Sequence, residues 1–206
     1  MFRLIPPVTR TLIYANVAMF IGQHLFGDAL TLKLALWSFR SASLLGDGFG
    51  FQPWQILTYS FLHAGITHLF FNMFALYMFG SELERLWGGQ RFLNLYLASV
   101  ISAAFAQLMV TSLLAMEPYP TIGASGGVFG LLLGYAMYFP RRTIVLLIPP
   151  VPLPAWLFVA LYALLELYLG VTGTQAGVAH FAHLGGLLGA WLVIQYWRGR
   201  PPFRLH

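Results

Sequence analysis

The 206-residue sequence contains no cysteine, which excludes disulfides and thiolate metal sites. Charged residues are also scarce, at 8% of the chain, and only six residues are acidic. Hydrophobic residues make up 59%, which is more than a soluble domain of this size can bury. The composition therefore predicts an integral membrane protein that lies in a lipid bilayer.

The sequence contains six apolar runs, each of roughly 17–25 residues and so long enough to cross the hydrocarbon layer as a helix. To within a few residues they cover 11–27, 57–80, 92–114, 123–140, 153–170 and 178–197. The alternating pattern of membrane β-strands is missing. We expect an all-α, polytopic membrane protein with six transmembrane helices in one domain, residues 1–206. Residues 28–56 are predicted to form an apolar loop embedded in the membrane interface.

The net charge of +5 could suggest nucleic-acid binding, but the basic residues follow the predicted loops and form no single patch. With a cytoplasmic N-terminus, nine of the eleven Lys and Arg residues lie on the cytoplasmic side, as is usual for membrane proteins. The nine are Arg3, Arg10, Arg85, Arg91, Arg141, Arg142, Arg198, Arg200 and Arg204. We therefore expect both termini in the cytoplasm and no nucleic-acid partner.

This orientation brings three polar residues to one depth in the membrane. The second, fourth and sixth predicted helices all run inward from the external face. His68 lies in the second helix, Ser125 begins the fourth, and His183 lies about five residues into the sixth, roughly 8 Å from its start. We expect their side chains to meet in a layer that opens to the external side.

Ser125 stands in the segment Gly123-Ala124-Ser125-Gly126-Gly127. A serine in a membrane helix commonly bonds a carbonyl one turn back or packs against a neighbour. Glycines four residues apart predict close contact between the fourth and sixth helices: Gly126, Gly130 and Gly134 in one, Gly185 and Gly189 in the other. The segment also matches the Gly-x-Ser-x-Gly nucleophile elbow, but the strand that this motif requires is absent.

Histidines supply a possible base for Ser125. An imidazole can take and return a proton near neutral pH, and His180 competes with His183 for this role. His68 and Asn72 share one helix face, either as an interhelical hydrogen-bonding pair or as donors to an oxyanion. A metal site among the histidines is not favoured, because the His-Glu-x-x-His spacing of zinc-binding helices is absent.

Four segments together resemble the rhomboid family of intramembrane serine proteases, over Trp54 to Ala190. The segment His68-Leu69-Phe70-Phe71-Asn72-Met73 and the following Gly80-Ser81-Glu82-Leu83-Glu84 are similar to the family's second helix and turn. Gly123-Ala124-Ser125-Gly126 resembles the signature of the family nucleophile. Ala182-His183-Leu184-Gly185-Gly186 resembles the segment of the general base, which selects His183 over His180.

The resemblance implies a six-helix core with a catalytic dyad of Ser125 and His183. It implies an oxyanion site built from His68, Asn72 and the backbone N–H of Ser125, with no cofactor and no metal. The implied reaction is hydrolysis of peptide bonds in or near transmembrane segments of single-pass or polytopic membrane proteins. The implied location is a prokaryotic inner membrane, and the oligomeric state is left open.

Two features stand outside this resemblance. Many family members have Trp-Arg near the end of the first loop, where this chain has Trp54-Gln55. Glu166 is the acidic residue that lies well inside a predicted span, where a carboxyl is costly unless neutral or paired, and its role is open. Two other functions also stay open: a catalytically silent membrane-protein binder, and a transporter or channel, although neither broken symmetric helices nor a polar pore lining is evident.

Overall fold

A computed structural model describes residues 4–113, 119–146, 149–173 and 178–199. These residues are mostly helical, as predicted. The helices are α1 (Pro7–Phe26), α2 (Asp28–Leu34), α3 (Ser41–Leu45), α4 (Gln55–Thr58), α5 (Ile66–Ala75), α6 (Ser81–Trp87), α7 (Gly89–Leu113), α8 (Ser125–Tyr138), α9 (Ala155–Thr172) and α10 (His180–Trp197). Short 3-10 turns occupy Asp47–Phe49 and Tyr59–Phe61, and a π-helical segment, Leu76–Gly80, joins α5 to α6.

A small hairpin departs from the all-α prediction. Strand β1 (Thr143–Val145) pairs antiparallel with β2 (Pro152–Pro154) between α8 and α9. The β-branched residues Ile144 and Val145 favour an extended backbone, and the prolines that follow stop any helix. Sequence periodicity missed the hairpin because three-residue strands are too short to show alternation.

The second predicted helix, 57–80, is wrong at both ends. It begins at Ile66 and runs on through the π-helical segment to Trp87, and it is bent by 100° from the short helical segment Gln55–Phe61. Between the two, the His63 N–H donates to the side-chain Oε1 of Gln23 at 2.9 Å. The backbone leaves the helical path between the two helices, with Leu62 and Gly65 both in extended conformations.

Two helices in the described parts of the chain, α7 and α9, are long and apolar enough to cross a membrane. The bent pair Gln55–Phe61 and Ile66–Trp87 makes a third if it counts as one span. In the most apolar window of α7, 44% of the residues are buried, against 17% for α9. Helix α7 therefore lies in the middle of the bundle and α9 at its edge.

Small residues let α7, α8 and α10 approach closely. A Cβ on Gly186 of α10 would lie 2.0 Å from the carbonyl oxygen of Gly126 in α8. A Cβ on Gly185 or Gly189 would instead meet backbone oxygens of α7, at 2.8 and 2.7 Å. The predicted close contact of α8 and α10 exists, but the expected use of Gly185 and Gly189 for it is wrong, because these two glycines face α7.

Helix α6 carries two glutamates, Glu82 and Glu84, and Glu84 binds the start of α1. The buried carboxylate of Glu84 accepts hydrogen bonds from the backbone N–H groups of Val8 and Thr9, at 2.9 and 2.7 Å, and from the Thr9 hydroxyl at 2.8 Å. A carboxylate at a helix N-terminus satisfies unpaired N–H groups and the positive end of the helix dipole. Glu82, which is more exposed, pairs with Arg85 and Arg142.

The loop between α1 and α5 is held by Gln55, which follows Trp54. Its side chain is 1% exposed. Its Oε1 accepts from the backbone N–H groups of Trp37 and Gln52, at 3.3 and 3.1 Å, and its Nε2 donates to the Lys33 carbonyl at 3.4 Å. An arginine could not accept the two bonds from Trp37 and Gln52, because a guanidinium only donates.

Candidate active site

Ser125 is the first residue of α8, and the chain before it is fixed from two sides. Thr121 pairs with Leu36 in an isolated antiparallel bridge, and the Gly123 N–H donates to the Tyr59 carbonyl at 3.0 Å. Gly123 has a φ of +128°, which side chains other than glycine rarely adopt. The turn presents the partly buried Ser125 hydroxyl at the N-terminal end of α8.

The structure places the His183 ring directly beside Ser125. Its Nε2 lies 2.8 Å from the Ser125 Oγ. Its face stacks on Phe129, with the ring centroids 4.3 Å apart and the planes 8° apart. Phe129 lies one turn after Ser125 on the same helix. Helix α8 thus carries both the Ser125 hydroxyl and the Phe129 ring that orients the His183 imidazole.

The other nitrogen of His183 contacts a carboxylate. Glu166 of α9 is 4% exposed, and its Oε2 lies 2.9 Å from the His183 Nδ1. The same oxygen lies 2.7 Å from the Nδ1 of His180, which is also 4% exposed. The sequence singled out His180 as a competitor of His183, but the structure gives only His183 a hydrogen bond to Ser125 among the described residues.

His68 and Asn72 lie across the cavity from His183. The His68 Nδ1 accepts a long hydrogen bond, 3.4 Å, from the Ala64 N–H, so in the neutral ring the hydrogen belongs on Nε2. That Nε2 faces the turn before Ser125, since a Cβ on Gly123 would lie 2.9 Å from it. One N–H of the Asn72 amide donates to the His68 carbonyl at 3.0 Å, which leaves the second N–H free to donate.

A cavity of about 550 Å³ joins these groups. Its wall includes all four side chains that the sequence predicted for the site: His68, Asn72, Ser125 and His183. Most of the remaining wall is apolar, with Phe71, Phe79, Phe129, Phe158 and Tyr162 among its residues. Such a space suits an apolar chain with one polar group at its reacting end.

One group of possible metal ligands occurs in the described residues: Glu166, His180 and His183, whose ligand atoms lie within 4.8 Å of one another. The other histidines of the described residues, His24, His63 and His68, do not belong to it. The nitrogen–oxygen distances of 2.7 and 2.9 Å are those of hydrogen bonds.

Sequence reasoning did not foresee that Glu166 contacts both histidines. The available signal was a single carboxyl in an apolar span, which indicates a buried partner but does not name it. The partners come from α10, which the chain reaches only after the end of α9. Chemically, the arrangement can move a proton from a hydroxyl to an imidazole whose far side faces a carboxylate.

Comparison with known proteins finds similarity to rhomboid proteins. Residues 50–199, more than half of the chain, match the family model described as a rhomboid domain. The chain is 29% identical to the rhomboid protease GluP of Bacillus subtilis, over 90% of this chain and 34% of that protein. It is 32% identical to the mitochondrial rhomboid protein 1 of Saccharomyces cerevisiae, over 90% of this chain and 55% of that protein.

A third relative is covered over more of its length. The chain is 30% identical to the rhomboid protease AarA of Providencia stuartii, over 92% of this chain and 72% of that protein. The chain therefore spans about a third of the first relative, about half of the second and most of the third.

Proposed function

The chain belongs to the rhomboid family, and from that membership we propose that it is an intramembrane serine endopeptidase with Ser125 as nucleophile and His183 as general base. The observation that carries the proposal is the 2.8 Å contact between the Ser125 Oγ and the His183 Nε2. Both groups line a largely apolar cavity, where a hydroxyl and a base have few structural uses.

The reaction follows the chemistry of acyl transfer. The Ser125 Oγ attacks the carbonyl carbon of the scissile bond while its proton passes to the His183 Nε2. His183 then returns the proton to the leaving amine as the C–N bond breaks. Water hydrolyses the acyl-enzyme ester, again with His183 as the base. The external end of the cavity would supply that water.

The negative oxygen of the tetrahedral intermediate needs donors that are already in place. The backbone N–H of Ser125 lies at the N-terminal end of α8, where the helix dipole also favours negative charge. The free N–H of Asn72 and the Nε2–H of His68 face the same cavity. We assign these three donors to the oxyanion site.

The substrates would be single-pass or polytopic membrane proteins that reach Ser125 from the bilayer. The exposed apolar surface of α9, which includes Leu161, Leu164 and Leu165, supports a lipid-facing edge there. The proposal also includes six transmembrane helices in one domain over residues 1–206, with a membrane-embedded first loop. It places both termini in the cytoplasm and the protein in a prokaryotic inner membrane. The positions of the basic residues support this orientation.

The alternative of a catalytically silent binder explains less. Such a protein needs neither the Ser125–His183 hydrogen bond nor the ring stacking that orients His183. A transporter or channel would use a continuous polar path, whereas most of the cavity wall here is apolar.

A fluorescent fluorophosphonate tests the proposal without a known substrate, because it reacts covalently with activated serines. The purified protein should be labelled, and Ser125→Ala and His183→Ala should lose the label. Ser43→Ala is the matched control, since Ser43 is exposed and bonds only the Arg40 carbonyl among its described partners; it should label like the unmodified protein. A folded protein that no serine probe labels would refute the proposal in favour of a binder.

A further inference from the structure

Glu166 is the polar member of the buried face of α9. That helix, which the structure describes in full, buries Ala155, Val159 and Glu166, while the flanking Leu165 and Leu167 are 48% and 45% exposed. A buried carboxylate is costly unless several donors satisfy it. Apolar residues would pack this face at a lower cost in free energy, so packing alone does not explain the carboxylate.

The donors of Glu166 come from one turn of α10. Its Oε2 lies 2.9 Å from the Nδ1 of His183 and 2.7 Å from the Nδ1 of His180. An ionised carboxylate accepts only, so each Nδ1 must carry the hydrogen. In neutral His183 the Nε2 is then unprotonated, which is the nitrogen beside the Ser125 Oγ. Contact with Glu166 thus selects the tautomer that can act as a base.

We infer that Glu166 is a positioning residue for His183, so that Ser125, His183 and Glu166 act as a triad. The inference rests on the proposed function of Ser125 and His183. Glu166 touches neither substrate nor Ser125 and acts through the imidazole. It does so in two ways: it fixes the ring tautomer and orientation, and it stabilises the imidazolium that forms in the transition state.

The proton balance is the same as for a dyad. The proton of the Ser125 hydroxyl moves to the His183 Nε2 as the bond from Oγ to the carbonyl carbon forms. It moves on to the leaving amine as the C–N bond breaks. Glu166 stays ionised throughout, and the His183 Nδ1 keeps its own hydrogen.

His180 fixes the carboxylate from the other side. Its ring centre lies 6.4 Å from that of His183, with the planes nearly perpendicular at 88°. Two donors on one oxygen restrict the carboxylate more than one donor would. The groups that face His183 are therefore Glu166, Ser125 and the Phe129 ring, with His180 and His68 as the nearby titratable side chains.

The test compares Glu166→Gln with Glu166→Asp in a cleavage assay on a transmembrane model substrate. If Glu166 is merely structural, Glu166→Gln should be the more active variant, because glutamine keeps the size and an acceptor. If Glu166 positions His183, Glu166→Asp should be the more active variant, because aspartate keeps the charge. We expect Glu166→Gln to lower kcat by about 10²–10⁴-fold with little change in KM, and Glu166→Asp to retain more activity than Glu166→Gln. Rates of fluorophosphonate labelling should fall in the same order.

The matched control is Glu84→Gln, which alters another buried glutamate that lies outside the cavity wall. It should lower thermal stability but leave kcat per folded molecule unchanged. If Glu166→Gln keeps kcat within about threefold of the unmodified protein, or exceeds Glu166→Asp, the inference is wrong and the dyad stands. If the unmodified protein neither labels nor cleaves, the proposed function itself fails.

A measurement on the unmodified protein needs no variant to fold. Nitrogen-15 chemical shifts of histidine-labelled protein distinguish a protonated from an unprotonated ring nitrogen. In the neutral ring of His183 we expect the hydrogen on Nδ1 and a free Nε2. A neutral His183 that carries its hydrogen on Nε2 would overturn the inference.

Discussion

Gly186 of α10 faces the backbone of Gly126 in α8, and no side chain separates the two helices at this point. A Cβ on Gly186 would lie 2.0 Å from the Gly126 carbonyl oxygen and 2.8 Å from its carbonyl carbon. Gly126 follows Ser125 directly, and Gly186 follows His183 by three residues. This close approach of the two helices therefore lies beside the hydroxyl and the imidazole that they carry.

Replacing Gly186 by alanine should separate these helices. We expect Gly186→Ala to lower stability by about 1–3 kcal/mol, as overpacking does, and activity by about 10²-fold, because a displacement of about 1 Å misaligns the base. Thermal unfolding in detergent and the labelling rate of Ser125 measure the two effects. Gly48→Ala is the control, since a Cβ there meets nothing within 4 Å. Equal behaviour of the two variants would contradict the prediction.

The two glutamates of α6, Glu82 and Glu84, should differ in their effect on stability. The ionised Glu84 carboxylate accepts three hydrogen bonds at the start of α1. Glu84→Gln removes its charge and replaces one accepting oxygen with an amide that donates. We expect a loss of about 1–3 kcal/mol, measured as a lower unfolding temperature. Glu82→Gln removes partly exposed ion pairs and should change stability by less than about 1 kcal/mol. A larger effect of Glu82→Gln would show that the assigned capping contact matters little.

Gln55 should be essential for the structure of the first loop. Gln55→Leu leaves the backbone N–H groups of Trp37 and Gln52 without an acceptor, at a cost of about 1–3 kcal/mol. We expect a lower unfolding temperature and faster proteolysis within residues 28–56. Gln55→Arg should behave similarly, because it cannot accept. Gln52→Leu, whose exposed side chain provides none of these contacts, is the control. Unchanged proteolysis in Gln55→Leu would refute the role.

The residues of the site were predictable from the sequence because their helices begin at one end of the bundle. His68, Ser125 and His183 each lie within the first four residues of α5, α8 and α10, and the order of the apolar runs predicted that these helix starts share one side of the bundle. Hydropathy alone did not reveal the break before Ile66, because Phe61, Leu62 and Ala64 keep the run apolar across it.

Contacts between helices were harder to predict than the helices themselves. Glycine spacing indicated a close contact, but it could not tell whether Gly185 or Gly186 faces α8, since adjacent positions on a helix differ by about 100°. The partners of Glu166 depend on the packing of α9 against α10. Hydrogen bonds across helices are set by tertiary structure, and local sequence patterns do not encode them.

The last prediction separates a catalytic from a structural role of Asn72. Its amide Nδ2 bonds the His68 carbonyl at 3.0 Å, and the amide Nδ2 of Asn16 in α1 bonds the Leu12 carbonyl in the same way at 2.8 Å. Asn72 lines the cavity of the candidate active site, whereas Asn16 does not. Asn72→Leu and Asn16→Leu therefore lose equivalent local bonds, but only the first removes a proposed oxyanion donor. We expect Asn72→Leu to lower kcat by about 10²–10³-fold and Asn16→Leu to leave kcat per folded molecule unchanged, as measured by cleavage rates at saturating substrate. Equal kcat values for the two variants would exclude Asn72 from the oxyanion site and leave that role to His68 and the backbone N–H of Ser125.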